Sequence, residues 1–132
     1  MSPREAAAVL IVEDDADVRE TLVLVLESEG FEVRAGRDGR EALEILRAGF
    51  RPRLILLDLM MPVMNGWEFR AEMKRDPQLA SIPVVFVSAR SSAADVRRGL
   101  DAGAADYFTK PVDMDTLIGR IRELLPQEKR GA

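Results

Sequence analysis

The sequence of 132 residues contains no cysteine and no histidine. Without cysteine it has no disulfide, no thiolate nucleophile and no cysteine-ligated zinc or iron–sulfur cluster. Without histidine it has no Ser-His-Asp triad and no imidazole for metal binding or proton transfer. Any chemistry of this chain therefore depends on carboxylates, hydroxyls, lysine, arginine and the backbone.

An excess of positive charge and a long apolar run are also missing. The 19 basic and 23 acidic residues give a net charge of −4, which argues against a nucleic-acid partner. The longest apolar run, Ala6 to Val12, falls well short of the ~20 residues of a membrane-spanning helix. Acidic residues follow it at once, so it does not resemble a signal peptide. We therefore expect a cytoplasmic protein without a membrane partner.

Strand-like and helix-like segments alternate five times along the chain. Apolar or alternating runs typical of strands lie at 8–12, 31–34, 54–57, 84–87 and 106–109. Segments with helical spacing lie at 16–29, 40–48, 67–75 and 93–102, and a last one starts near 113. Asp17 and Glu20 are predicted to cap the first helix. The pattern predicts an α/β domain, a doubly wound five-stranded parallel sheet with helices on both faces.

The length fits one domain. We assign residues 7–125 to this domain and residues 126–132 to a short polar C-terminal tail. The Met1 start and the polar end suggest a complete single-domain protein, but a fragment of a longer protein would look the same.

Polar side chains follow four of the five predicted strands. Asp14 and Asp15 follow the first strand, Asp58 the third, Ser88 the fourth and Lys110 the fifth. Each has an ordinary structural explanation by itself, such as a helix-start acid, a turn hydroxyl or a surface lysine. Ligands of doubly wound sheets bind at the carboxyl ends of the strands. The convergence of all five at that edge therefore predicts a functional site.

The residue types at this edge favour metal-assisted phosphoryl chemistry. Three clustered carboxylates repel one another unless a cation lies among them. With oxygen ligands alone, Mg²⁺ is the expected ion. An aspartate beside Mg²⁺, a hydroxyl and an ammonium is suited to accept a phosphoryl group.

These segments resemble the receiver domain of bacterial two-component response regulators. The resemblance rests on Glu13-Asp14-Asp15, on the loop from Asp58 to Gly66, on Ser88-Ala89 and on the run from Gly103 to Pro111. It covers about residues 7–125. It implies a flavodoxin-like (βα)5 fold with strand order 2-1-3-4-5.

The resemblance also implies a phosphoryl acceptor and a metal site. Asp58 corresponds to the residue that takes a phosphoryl group from a phosphohistidine of a histidine kinase or phosphotransfer protein. Asp15 resembles the direct Mg²⁺ ligand and Asp14 its water-mediated neighbour. Asp58 and the backbone carbonyl of Met60 complete the protein's share of the coordination.

Four further residues have implied roles around the phosphoryl group. Lys110 would pair with it, and the bond before Pro111 is expected to be cis. The hydroxyl of Ser88 would swing toward it, with Tyr107 following inward as part of a switch.

Phosphorylation of Asp58 is expected to switch a protein-interaction surface over residues 93–125. Arg97 and Arg98 are candidate contacts there, although solvated helix arginines would look the same. With seven residues after Leu125, no output domain is expected in this chain, so the output is expected to be contact with a downstream protein or a relay of the phosphoryl group through further transfers. The protein is expected to be a monomer or a phosphorylation-dependent dimer. The implied reactivity is limited to gain and loss of the domain's own phosphoryl group.

Three other functions fit parts of the pattern. A haloacid-dehalogenase-like phosphatase would carry a second aspartate where Met60 stands. A nucleotide-binding Rossmann module is opposed by the acidic residues after the first strand and by the lack of a glycine-rich turn. A scaffold that never receives phosphate would not need all of the site positions.

Overall fold

A computed structural model describes residues 7–125, in which five strands alternate with five helices. The strands are β1 (Ala8–Val12), β2 (Glu32–Gly36), β3 (Leu54–Leu57), β4 (Val84–Ser88) and β5 (Asp106–Thr109). The helices are α1 (Ala16–Ser28), α2 (Gly39–Arg47), α3 (Gly66–Lys74), α4 (Ala93–Asp101) and α5 (Met114–Leu124). The predicted tail, 126–132, lies outside the described residues.

All strands are parallel, in the order β2-β1-β3-β4-β5, which confirms the predicted fold and topology. Strand β2 is shifted from its predicted position at 31–34. Ala35 and Gly36 extend it because they pair with Ile11 and Val12 of β1. Phe31 instead closes the end of α1, where its N–H donates to the Leu26 carbonyl at 3.1 Å.

Helices cover both faces of the sheet and separate two apolar layers. One layer packs α1 and α5 against the sheet, with Leu22, Leu26, Leu117, Ile118 and Ile121 buried. The other packs α2 and α3 and holds Leu43, Leu46, Phe69, Met73 and Tyr107. Strands buried on both faces explain the continuous apolar runs of β1, β3 and β4.

The first helix is capped differently from the prediction. Asp15, not Asp17, is the N-cap of α1, and its side chain accepts from the Asp17 and Val18 N–H groups at 2.9 and 3.2 Å. Asp17 lies inside the first turn of α1 and not at the capping position before the helix.

No helix within residues 7–125 has both the length and the apolar character needed to span a bilayer.

The loop between β3 and α3 brings the helix close to the strand end. A Cβ on Gly66 would lie 2.5 Å from the Asp58 carbonyl oxygen, so only glycine allows α3 to start there. Asn65 caps α3 through a reciprocal pair of hydrogen bonds with Glu68. The close approach fixes the path of the chain immediately after Asp58.

Val63, at the tip of this loop, has a φ of 67°. A β-branched residue is strained in this left-handed region, and Val63 is 70% exposed, so little burial offsets the strain. Val63→Gly is therefore expected to raise the free energy of unfolding by about 1 kcal/mol. Urea denaturation measures this, with Val63→Ala as the control that retains a Cβ and gains less. An unchanged or lower stability of Val63→Gly would contradict the prediction.

Candidate functional site

The carboxyl ends of four parallel strands meet at one edge of the sheet. The strands β1, β3, β4 and β5 end side by side in the observed register. Glu13, Asp58 and Lys110 follow directly after β1, β3 and β5, and Ser88 is the last residue of β4. The fold therefore brings together residues that lie far apart in the sequence.

Three carboxylates form a compact cluster at this edge. Glu13, Asp14 and Asp58 each offer an oxygen, and these oxygens all lie within 4.8 Å of one another. Glu13 and Asp58 are buried, whereas Asp14 is exposed. The cluster thus consists of two buried acidic residues and one exposed acidic residue.

Lys110 is the cation that faces the buried pair. Its Nζ lies 2.8 Å from Glu13 Oε1 and 3.5 Å from Asp58 Oδ2. Burial disfavours the charged ammonium, but the hydrogen bond to Glu13 and the charges of Asp58 and Glu13 outweigh it and raise the pKa of Lys110. Lys110 therefore stays protonated and neutralises part of the carboxylate charge.

The prediction that Asp15 joins this cluster is corrected by the structure. Its carboxylate caps α1, and its N–H donates to Glu13 Oε2 at 3.1 Å. Glu13 takes its place among the clustered acids. The sequence did carry a signal for this, because an aspartate directly before a helix is a favoured N-cap, whereas Glu13 directly follows a buried strand.

The carboxyl of Asp58 is strongly perturbed. Burial, followed by the charge of Glu13, raises its pKa to about 7, against the opposing charge of Lys110. The Met60 N–H donates to Asp58 Oδ1 at 3.3 Å and favours the ionised form. The raised pKa of Asp58 therefore reflects burial first and repulsion by Glu13 second, which the single ammonium of Lys110 does not offset.

These residues fit a divalent cation. The donors are carboxylate oxygens without a competing imidazole or thiolate, which suits a hard ion such as Mg²⁺. An added cation would relieve the repulsion between the clustered carboxylates and favour the ionised form of Asp58. Within the described chain, Glu13, Asp14 and Asp58 form the acidic group that could hold a metal.

Ser88 and Tyr107 lie on the side of the site nearest α4. The fully buried Ser88 accepts the Arg90 N–H on its Oγ at 3.1 Å, and the Tyr107 hydroxyl donates to the Arg90 carbonyl at 2.8 Å. Burial raises the pKa of Tyr107, and its contact with the Ser88 hydroxyl opposes that rise. One short segment of backbone thus connects both side chains.

Tyr107 also contacts α4 directly. A Cβ on Gly99 would lie 2.7 Å from Tyr107 Cδ2, so the ring packs against the helix where a side chain is missing. The ring also lies 6.0 Å from that of Phe86, centroid to centroid. Tyr107 therefore provides a packed connection from the site to the predicted interaction surface.

Arg98, predicted as a contact for a partner, has a contact within the chain. Its guanidinium lies 4.1 Å from the centroid of the Trp67 ring, and that ring lies 5.2 Å from the Phe86 ring, centroid to centroid. Arg97 beside it is exposed. Arg98 is exposed as well, so it makes an α3–α4 contact while remaining at the surface.

The backbone after β5 is held close to Ser88. The Lys110 N–H donates to the Ser88 carbonyl at 2.9 Å. The peptide bond between Lys110 and Pro111 is cis, as the resemblance implies.

Comparison with protein families agrees with the fold. A family model described as the response regulator receiver domain matches residues 9–122. The chain belongs to this family, and it is thus a receiver domain of signalling proteins.

Relatives and solved structures of this family cover most of the chain. The transcriptional regulatory protein CseB of Streptomyces avermitilis is 44% identical over 92% of this chain. The DNA-binding response regulator MtrA of Mycobacterium leprae is 40% identical over 89% of it. The chain spans about half the length of each, since it covers 50% of both.

Two solved structures show the same architecture. The chemotaxis protein CheY4 of Vibrio cholerae has a TM-score of 0.84 and 31% identity, covering 91% of this chain and 99% of that one. A signal receiver domain of a histidine kinase from Syntrophus aciditrophicus has a TM-score of 0.83 and 38% identity, covering 96% of both chains.

Proposed function

We propose that Asp58 accepts a phosphoryl group from a phosphohistidine and that this charge switches a protein-interaction surface. The observation that carries the proposal is the placement of Asp58: it is buried, clustered with two acids and faced by Lys110 at 3.5 Å. Glu13, Asp14 and Asp58 would hold Mg²⁺, together with the Met60 carbonyl. Bound Mg²⁺ would neutralise charge on the transferring oxygens.

The chain's own residues supply position and charge for the transfer. A carboxylate oxygen of Asp58 attacks phosphorus, the bond from phosphorus to the donor's imidazole nitrogen breaks, and its electron pair returns to the imidazole. Lys110, now paired with Glu13 at 2.8 Å, is near enough to pair with a phosphoryl oxygen on Asp58. An apolar pocket of about 500 Å³, lined in part by Val18, Lys110 and Pro111, gives a donor protein a surface to bind beside the site.

The switch would act through the residues that link the site to α4. A phosphoryl group on Asp58 is an acceptor for the Ser88 hydroxyl, which now accepts the Arg90 N–H. A move of Ser88 changes the position of Arg90, and with it the Tyr107 contact against Gly99. We infer that the surface of residues 93–125 then gains affinity for a downstream protein or for a second copy.

Trp67 fluorescence offers a test, because its ring contacts both Phe86 and Arg98 of α4. We expect a saturable change on addition of Mg²⁺, then a second change with beryllofluoride, which mimics the phosphoryl group. Asp58→Asn should weaken the first response and abolish the second. A wild-type protein that binds no Mg²⁺ by calorimetry and gives neither response would overturn the proposal.

A further inference from the structure

The side chain of Arg19 reaches back from the first turns of α1 to the acidic loop. Its Nη1 donates to the Glu13 carbonyl at 3.0 Å and to the Asp14 carbonyl at 3.4 Å. One guanidinium thus contacts two successive backbone groups of the segment that carries two of the three clustered acids. Neither the pattern of strand ends nor the resemblance singled out this residue.

Asp14 depends on this contact more than its neighbours do. Glu13 is held by its N–H to the Gly36 carbonyl at 3.0 Å and by its ion pair with Lys110. Asp15 is held by its N-cap bonds and by its N–H to Glu13. Among residues 7–125, the hydrogen bond that the structure gives Asp14 is the one from Arg19. The exposed carboxylate of Asp14 is thus the least constrained of the cluster.

We propose that Arg19 is a positioning residue for metal binding, one that fixes the backbone on which Asp14 is carried. This rests on the proposed function, in which the acid cluster binds Mg²⁺. A loop that is ordered before binding loses less conformational entropy when the metal arrives. Residues that hold metal ligands in place commonly change metal affinity by about 10–100-fold when they are removed.

The charge of Arg19 acts in the opposite direction to its contacts. A guanidinium near the site repels a cation, so its removal by itself would strengthen Mg²⁺ binding. The two effects therefore predict opposite signs for the same substitution. Because Arg19 is half-buried and its Nη1 is engaged with the backbone, positioning is the larger effect.

The test is calorimetric titration of the full chain with Mg²⁺, in wild type, Arg19→Met and Arg19→Lys. Methionine keeps the apolar stem and removes both hydrogen bonds, and the expected result is about a 10-fold weaker Kd. Lysine can reach one carbonyl and should recover part of the affinity. Thermal denaturation without Mg²⁺ accompanies each titration.

Arg122→Met is the matched control. Arg122 also donates to a backbone carbonyl, at the other end of α1, where its Nη2 lies 3.2 Å from the Glu29 carbonyl oxygen and 3.0 Å from Glu29 Oε1. It should lower stability as Arg19→Met does and leave Mg²⁺ affinity unchanged. The inference is overturned if wild type binds Mg²⁺ and Arg19→Met binds it equally well or more tightly. It is also overturned if Arg122→Met loses as much Mg²⁺ affinity as Arg19→Met. A wild type that binds no Mg²⁺ overturns the proposed function itself.

Discussion

Asp58→Asn is expected to stabilise the metal-free protein at pH 8 by roughly 2–4 kcal/mol. The wild-type protein must hold the Asp58 carboxylate buried and beside Glu13, and burial, together with repulsion by Glu13, raises the pKa of Asp58 to about 7. Asparagine keeps the shape of the side chain and carries no charge. The substitution that removes the proposed phosphoryl acceptor should therefore raise the free energy of unfolding.

The gain should depend on pH in a defined direction. The pKa of Asp58 is about 7 in the folded protein and 3.8 in its ordinary state, so the folded protein binds more protons between these values. The Asp58 carboxyl therefore makes a contribution to stability that is fully present below about pH 4 and is lost as the pH rises toward 7. The difference between Asp58→Asn and wild type should accordingly be smaller at pH 5 than at pH 6.5 and largest at pH 8.

Urea denaturation at pH 5, 6.5 and 8 in EDTA measures this difference. Excess Mg²⁺ at pH 8 should narrow it, because the metal stabilises wild type more than the variant. A constant difference across the pH range, or a variant less stable than wild type at pH 8, would contradict the electrostatic explanation.

Lys110→Met is expected to lower the free energy of unfolding by about 3 kcal/mol at pH 8. Methionine retains most of the apolar stem, so the main loss is the ammonium that lies 2.8 Å from Glu13 and 3.5 Å from Asp58. Both carboxylates are then buried without a cation, unless one of them takes up a proton. The cost should be smaller at pH 5, where Asp58 is protonated.

Lys74→Met serves as the control, because Lys74 is an exposed lysine in the last turn of α3. It should change stability by less than about 0.5 kcal/mol. Combining Lys110→Met with Asp58→Asn should recover part of the loss, since one of the two buried charges is removed. A loss for Lys110→Met that is the same at pH 5 and pH 8, with no recovery in the double variant, would exclude charge neutralisation as the role of Lys110.

The sheet was predictable because the burial of each strand is reflected in its sequence pattern. Strands β1, β3 and β4 are buried on both faces and read as unbroken apolar runs, as they must between two layers of helices. Strand β2 lies at an edge of the sheet, and its alternating burial gives a weaker sequence pattern. Its predicted bounds, 31–34, therefore differ from the observed ones, Glu32–Gly36. Its end was set by pairing with β1, which is a long-range property.

The site was predictable as a set of strand ends and not as a set of contacts. Three successive acids after β1 do not reveal which side chain turns toward the sheet and which caps the helix. The prediction therefore put Asp15 in the acidic cluster, where the structure has Glu13. The packing of Tyr107 against Gly99 and the reach of Arg19 to the loop join separate elements. Such contacts depend on side-chain direction in the folded chain, which a one-dimensional pattern does not contain.

Intact mass after incubation with acetyl phosphate tests the central claim most directly. We predict that wild-type protein gains the mass of one phosphoryl group when Mg²⁺ is present, that EDTA prevents the gain, and that peptide mapping places it on Asp58. Asp58→Asn should show no gain under the same conditions. A wild type that stays unmodified while it binds Mg²⁺, or an equal gain in Asp58→Asn, would contradict the assignment of Asp58 as the phosphoryl acceptor.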